Sequence, residues 1–334
     1  MKRIFFLVIA ASILTGTVFA GGQQEAKGTD MADDGKFVWI IESEDGILPG
    51  VNPLKVEGDI ITAGSSTVFP LSEAMAERFK DEGYNFNITV DSIGSGAGFE
   101  RFTVAGETDI SNASRPIKDK EITAAKEIGR DPVEFRVGTD ALAVTVPKSN
   151  TFVKDVTLEE LAMIFTSEKW SDVRAAWPNE NILKFIPGTD SGTFDYFVEE
   201  VYDKNSAAIL GASNLQMSED DNILVQGISE SPYGIGFFGY AYYVENKNVL
   251  NVLNIDGVEP NKENVDAAAY PLARPLFIYS DASIMKNKPQ VAAFIAYYLT
   301  YVNEEITRVG YFPANEDVIN GGKDAWLKAC EGMY

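Results

Sequence analysis

From Asp59 onward the chain alternates short apolar runs with amphipathic ones, joined by stretches rich in glycine, serine and threonine. DIITAG predicts a strand, SSTVFP a turn, and LSEAMAERFKDEG an amphipathic helix stopped by Gly83. NITVDS, IGSGAG and FERFTVAG repeat that order, and TDISNAS with IKDKEITAAKEIG repeats it again. Parallel strands need a crossover, usually helical, so the rhythm predicts an α/β layered sheet with parallel strands. Two longer extended runs interrupt it, FRVGTDALAVTVPKSN (135–150) and ARPLFIYSD (273–281). Two arrangements fit these runs. They are the two crossings of a hinge, with 59–141 plus 277–334 as lobe I and 142–276 as lobe II, or they are central strands of one continuous sheet.

The first twenty residues are of another kind. Lys2 and Arg3 precede an apolar stretch from Ile4 to Leu14, and Val18-Phe19-Ala20 has the small-x-small form of a cleavage site. This predicts a secretory signal peptide over 1–20, followed by a flexible leader and an extra hairpin within 21–58. No cysteine stands at the cleavage site to carry a lipid, which favours a freely soluble protein retained in a periplasm. No internal stretch reaches the roughly 20 apolar residues a membrane span needs.

The 334 residues hold 28 Lys+Arg against 50 Asp+Glu, a formal net charge of −22. Such a field repels nucleic acid and anionic membrane surfaces, so neither is expected as a partner. Histidine is absent and cysteine occurs once, as Cys330. Ser-His-Asp and Cys-His chemistry, histidine metal sites and thiolate clusters are therefore excluded, and no cofactor or metal is expected. The fit of Ser283-Ile-Met-Lys286 to the Ser-x-x-Lys pattern lacks both companion patterns, Ser-Asp-Asn and Lys-Thr-Gly, and is read as chance.

One local design occurs three times. AGSSTVFPLSEAM (63–75), DSIGSGAGFERF (91–102) and GTDSGTFDYF (188–197) each set Gly and Ser or Thr directly before a helix. Such a mouth leaves backbone N–H groups at the positive end of the helix dipole, where an anion is favoured. A single instance is an ordinary cap; three together point to a shared anion site. The second mouth reads Gly94-x-Gly96-x-Gly98, with Phe99 where the dinucleotide fingerprint needs its third glycine, and no Gly-Lys-Ser/Thr loop occurs in the chain, which disfavours a nucleotide. Arg115, after a short strand, offers a bidentate fork to an oxyanion or else caps its own turn. Asp140 and Asp190 are candidate acceptors, because an inward carboxylate tolerates an anion only if that anion brings a proton. Each also has a plain reading, as a strand-end carboxylate and a helix cap.

Taken together, AGSSTVFP, GSGAGFERF, TDISNASRPI, DSGTFDYF and YGIGFFGYAYY resemble the PstS-like phosphate-binding proteins of bacterial ABC transporters, in the right order from about Ile60 to the C-terminal helices. The resemblance implies a two-lobe periplasmic-binding-protein fold of the double-crossing type, with each lobe a mostly parallel sheet flanked by helices. It implies a monomer that captures inorganic phosphate between the lobes, performs no chemistry on it, and delivers it to a membrane ABC permease. Carried over by motif, Ser66 and Thr67 donate from the first mouth, Ser95 and Gly96 from the second, and Ser191, Gly192 and Thr193 from the third. Two positions depart from the family. Pro187 stands where well-known members have an arginine, and Arg115 stands near the position of their aspartate. The charged partners are therefore expected to be rearranged, with Arg115 as the cation and Asp140 or Asp190 as the acceptor.

Overall fold

The computed structural model describes residues 37–44, 46–189 and 191–334. The expected signal peptide, part of the leader and Asp190 lie outside the described residues.

A ten-stranded sheet organises the chain. Its axis is the long strand Pro132–Pro147, paired antiparallel with Ala273–Asp281 along one edge, with Arg274 opposite Asp140. On one side, Ile110–Ala113 pairs antiparallel with the second long strand and carries Ile60–Gly64 and then Ile88–Ser92 in parallel. On the other, Gly234–Gly239 pairs antiparallel with the first long strand, with Leu183–Pro187 and Leu215–Ser218 parallel beyond it. The outer strands on both sides are thus parallel and joined through helices, as the alternating pattern requires.

Along this one sheet the buried hydrophobics form two clusters. The first takes its members from Trp39 to Val137 and from Leu276 to Met333. The second runs from Ala141 to Leu272, with Phe312 added from the C-terminal segment. The change of cluster falls inside the two long strands, close to a register shift at Leu276/Phe277 where Val137 is the extra residue. A bulge of this kind sharpens the local twist and turns the sheet between its two halves. Phe312–Pro313 crosses as well, pairing with Thr139 and Gly138 and setting Phe312 against Tyr240 with ring centroids 4.6 Å apart.

Local signals set the helix ends. Pro289 opens the long helix Pro289–Val309, where a missing N–H costs nothing, and Gly310 closes it in the left-handed conformation at φ 96°. Thr157 and Glu160 form a capping box at Leu158–Thr166. The segment before Asp59 is a docked element: Ile40–Ile41 pairs with Gly50–Val51, and Trp39, Leu48 and Val56 are buried in the first cluster. Cys330 is buried with its Sγ 3.9 Å from Met285 Sδ, and burial pushes the thiol up to about 12, so it fills space and is unreactive. Among the described residues no helix is long and apolar enough to cross a membrane.

Candidate functional site

The first mouth begins where strand Ile60–Gly64 runs out. Gly64 sits at φ +144°, and a Cβ there would lie 2.1 Å from the Asn112 carbonyl oxygen, so only glycine fits. The chain turns through Ser65, whose N–H donates to the same carbonyl at 2.9 Å. Ser65 Oγ then accepts from the Thr67 and Val68 N–H groups at 3.2 and 3.4 Å, ahead of helix Phe69–Asp81. The first mouth therefore satisfies these N–H groups itself, and its offering to a ligand is the hydroxyls of Ser66 and Thr67.

The second mouth is different. Gly94, at φ +84°, leads into Ser95–Glu100, and no side chain caps this helix. The Ile93 and Gly94 N–H groups both donate to the Gly64 carbonyl, at 2.9 and 2.8 Å, which ties the two mouths together. Ser95 Oγ accepts from the Ser114 N–H at 3.1 Å and lies 3.2 Å from Ser114 Oγ.

At the third mouth Ser191 Oγ caps helix Gly192–Tyr202 by accepting from the Thr193 N–H at 3.2 Å. Gly192 packs on the first mouth; a Cβ on it would be 3.4 Å from Ser66 and Thr67 backbone atoms. The first turns of this helix supply Asp195 and Tyr196 to the cleft wall.

These elements enclose an open cleft of about 720 Å³, whose walls include Ser66, Thr67, Ser95, Gly96, Arg115 and Arg274. Five of the ten residues singled out from the sequence thus face one space. Ser191, Gly192 and Thr193 form the adjoining helix start, Asp140 lies behind Arg274, and Asp190 is outside the described residues. Arg115 is already occupied: Nη1 and Nη2 donate to Glu121 at 2.9 and 2.8 Å, and its guanidinium lies 5.0 Å from the Phe99 ring centroid. Burial pushes the Glu121 carboxyl up, but hydrogen bonds from Arg115 and the Lys118 N–H outweigh it and hold the group below its ordinary value.

The cation at the centre of the site is Arg274, which sequence reasoning missed. Its side chain is about one-tenth exposed. Nε donates to Asp140 Oδ2 at 3.2 Å, and Nη2 donates to Thr67 Oγ1 and, at 3.2 Å, to the Gly192 carbonyl. The guanidinium lies 3.7 Å from the Tyr196 ring centroid, a stacked arrangement that holds the fork flat. One side chain thereby touches the first mouth, the third mouth and both long strands. Asp140 is fully buried; desolvation pushes its carboxyl up against the pull of Arg274, and Oδ1 has no partner among the described residues. The signal was present in the sequence: Arg274 is the sole cation in the second extended run, and antiparallel pairing of that run with the first sets it opposite Asp140.

Beside the third mouth, the Glu219 carboxylate occupies the space a side chain at Gly188 would need. Asp220 Oδ1 caps the next helix through the Asn222 N–H at 2.9 Å, and Asp221 follows. Burial, with Asp220 and Glu219 alongside, pushes the Asp221 carboxyl up to about 6. A carboxyl raised in the folded state stabilises below its unfolded pKa, and that contribution is lost as pH rises through the folded value. Asp221→Asn should therefore stabilise the protein at pH 7, by about 1–2 kcal/mol after allowance for solvent screening, and by nothing at pH 4. Urea midpoints at the two pH values check this; an equal gain at both would refute it.

With the geometry in hand, comparison with known proteins is decisive. A family model described as a PBP superfamily domain matches residues 16–301. The chain belongs to the PBP superfamily. Among curated relatives, protein SphX of Synechococcus elongatus is 46% identical over 267 residues, covering 76% of this chain and 77% of that protein. The phosphate-binding protein PstS of Staphylococcus haemolyticus is 35% identical over 268 residues, covering 78% and 83%. The crystal structure of a possible phosphate binding protein from Planctomyces limnophilus is 38% identical with a TM-score of 0.77, covering 83% of this chain and all of that one. An ABC-type phosphate transport receptor from Vibrio cholerae, at 20% identity and TM-score 0.60, shares the fold. The PstS-like resemblance and the periplasmic-binding-protein fold read from the motifs are both upheld.

Proposed function

We propose that this protein is an exported solute-binding protein that captures inorganic phosphate in its cleft and delivers it to a membrane ABC permease. The observation that carries the reading is the convergence of an uncapped helix start at Ser95-Gly96, the Thr67 hydroxyl and the Arg274 guanidinium on one cleft. Oriented N–H and O–H donors plus one fork-shaped cation suit a tetrahedral oxyanion, and they do so whatever the net charge of −22. Long-range repulsion is screened beyond about 8 Å at physiological salt, and capture is decided inside that radius. Relatives named for phosphate binding support the choice of oxyanion.

The two hydrophobic clusters serve as the lobes in this reading. The cleft opens between the first cluster's mouths and the Gly192–Tyr202 helix of the second, and a ligand bridging them favours the closed state. The ligand leaves as it came. In this reading the protein acts by binding alone.

Titration calorimetry on the mature chain tests the proposal. Phosphate should bind tightly and sulfate at least tenfold more weakly, and an aryl phosphate should be left unhydrolysed with or without added divalent metal. Absence of heat with phosphate would sink the reading, and turnover of the aryl phosphate would move the protein to an enzyme class.

A further inference from the structure

We infer that Arg274 is a positioning residue for Thr67, fixing the hydroxyl as a donor aimed into the cleft; the inference rests on the phosphate reading above. A threonine hydroxyl has one hydrogen and two lone pairs, and left to itself it either donates or accepts. Here Arg274 Nη2 donates into Oγ1, so a lone pair is engaged and the hydrogen must turn away from the guanidinium. Thr67 lines the cleft and no other side-chain partner for its hydroxyl is present among the described residues, which leaves the cleft as its direction. A charged donor on the oxygen also polarises the O–H bond and strengthens what it donates.

The same nitrogen donates to the Gly192 carbonyl at 3.2 Å. That carbonyl stands where the first and third mouths touch, and a bare acceptor there would repel an anion. Arg274 thus turns two local features toward one purpose, making one oxygen a donor and covering another. Its own geometry is set from behind by Asp140 at Nε and by the Tyr196 ring on its face. The second mouth is held differently: Ser95 Oγ accepts from the Ser114 N–H at 3.1 Å and has Ser114 Oγ beside it at 3.2 Å as a further partner. The Thr67 hydroxyl is therefore pre-set as a donor before any ligand arrives, so no reorientation of it is required on binding.

A double-mutant cycle separates this role from a merely structural one. Arg274→Lys keeps the charge beside Asp140, but a single ammonium centre does not reach the groups that Nε and Nη2 meet separately. In the wild-type background, phosphate affinity measured by calorimetry should fall by about tenfold or more. In a Thr67→Val background the same change should cost at least about threefold less affinity than in wild type, because no hydroxyl remains to be oriented and only the guanidinium's own contacts are lost. Thr67→Ser restores a hydroxyl and should bring the tenfold sensitivity back. Equal losses in the wild-type and valine backgrounds, or a serine variant that behaves like valine, would overturn the inference while leaving phosphate binding intact. A wild-type chain that gives no heat with phosphate would overturn both.

Discussion

Arg274→Met should destabilise the protein by about 3–5 kcal/mol at pH 7, because it leaves Asp140 as a buried charge without a counter-ion. The deficit should depend on pH in a definite direction. Asp140 is fully buried and its carboxyl is raised even with Arg274 in contact. Without the guanidinium the folded-state value moves further above the unfolded one. The stability a raised carboxyl contributes is complete below the unfolded value of about 3.8 and lost as pH rises. The variant should thus approach wild type near pH 4 and diverge from it toward neutrality. Adding Asp140→Asn should recover most of the loss, since a neutral amide is far cheaper to bury than a carboxylate. Chemical denaturation of wild type and the two variants at pH 4 and pH 7 measures all of this. A deficit that is flat with pH, or a double variant no better than Arg274→Met, would show that Asp140 is not what Arg274 neutralises.

Why this pair escaped a reading of the sequence is a matter of what local patterns encode. Strand, turn and helix are dictated within a few residues, so the alternation after Asp59 gave the layered sheet and its parallel outer strands. Motifs such as GSGAGFERF are likewise local, and they led to the mouths. A contact between residues 140 and 274 depends on the register of two strands far apart in the chain, and register is set by the whole sheet. Arg115 stands after a short strand with the fork an oxyanion needs, but in the fold Glu121, six residues on, takes both arms of that fork. At the first mouth the motif resemblance already points to Ser66 and Thr67, and the fold supplies the reason: Ser65 Oγ is used up as the cap of the turn that follows Gly64.

The glycines of the second mouth carry the other large expectation, because three residues that look alike in GSGAG do different work. Gly94 takes a left-handed turn at φ +84°. Gly96 faces open space, with nothing within 4 Å of a Cβ placed on it. Gly98 is pressed against the neighbouring strand: its Cβ would lie 2.4 Å from Gly64 Cα and 3.0 Å from the Ala63 oxygen, both backbone atoms that cannot swing aside. Gly98→Ala should therefore cost about 3 kcal/mol or more, the upper range for forcing a methyl into a packed core. It should also weaken phosphate binding, because Gly64 can yield only by dragging its carbonyl, which holds the Ile93 and Gly94 N–H groups in place. Gly96→Ala should do the opposite for stability and add about 0.5–1 kcal/mol, the ordinary benefit of alanine over glycine within a helix. Denaturant midpoints for the two variants, with phosphate titrations beside them, decide the matter. If Gly96→Ala proves as damaging to stability as Gly98→Ala, then close approach of helix to strand is not what this glycine run provides.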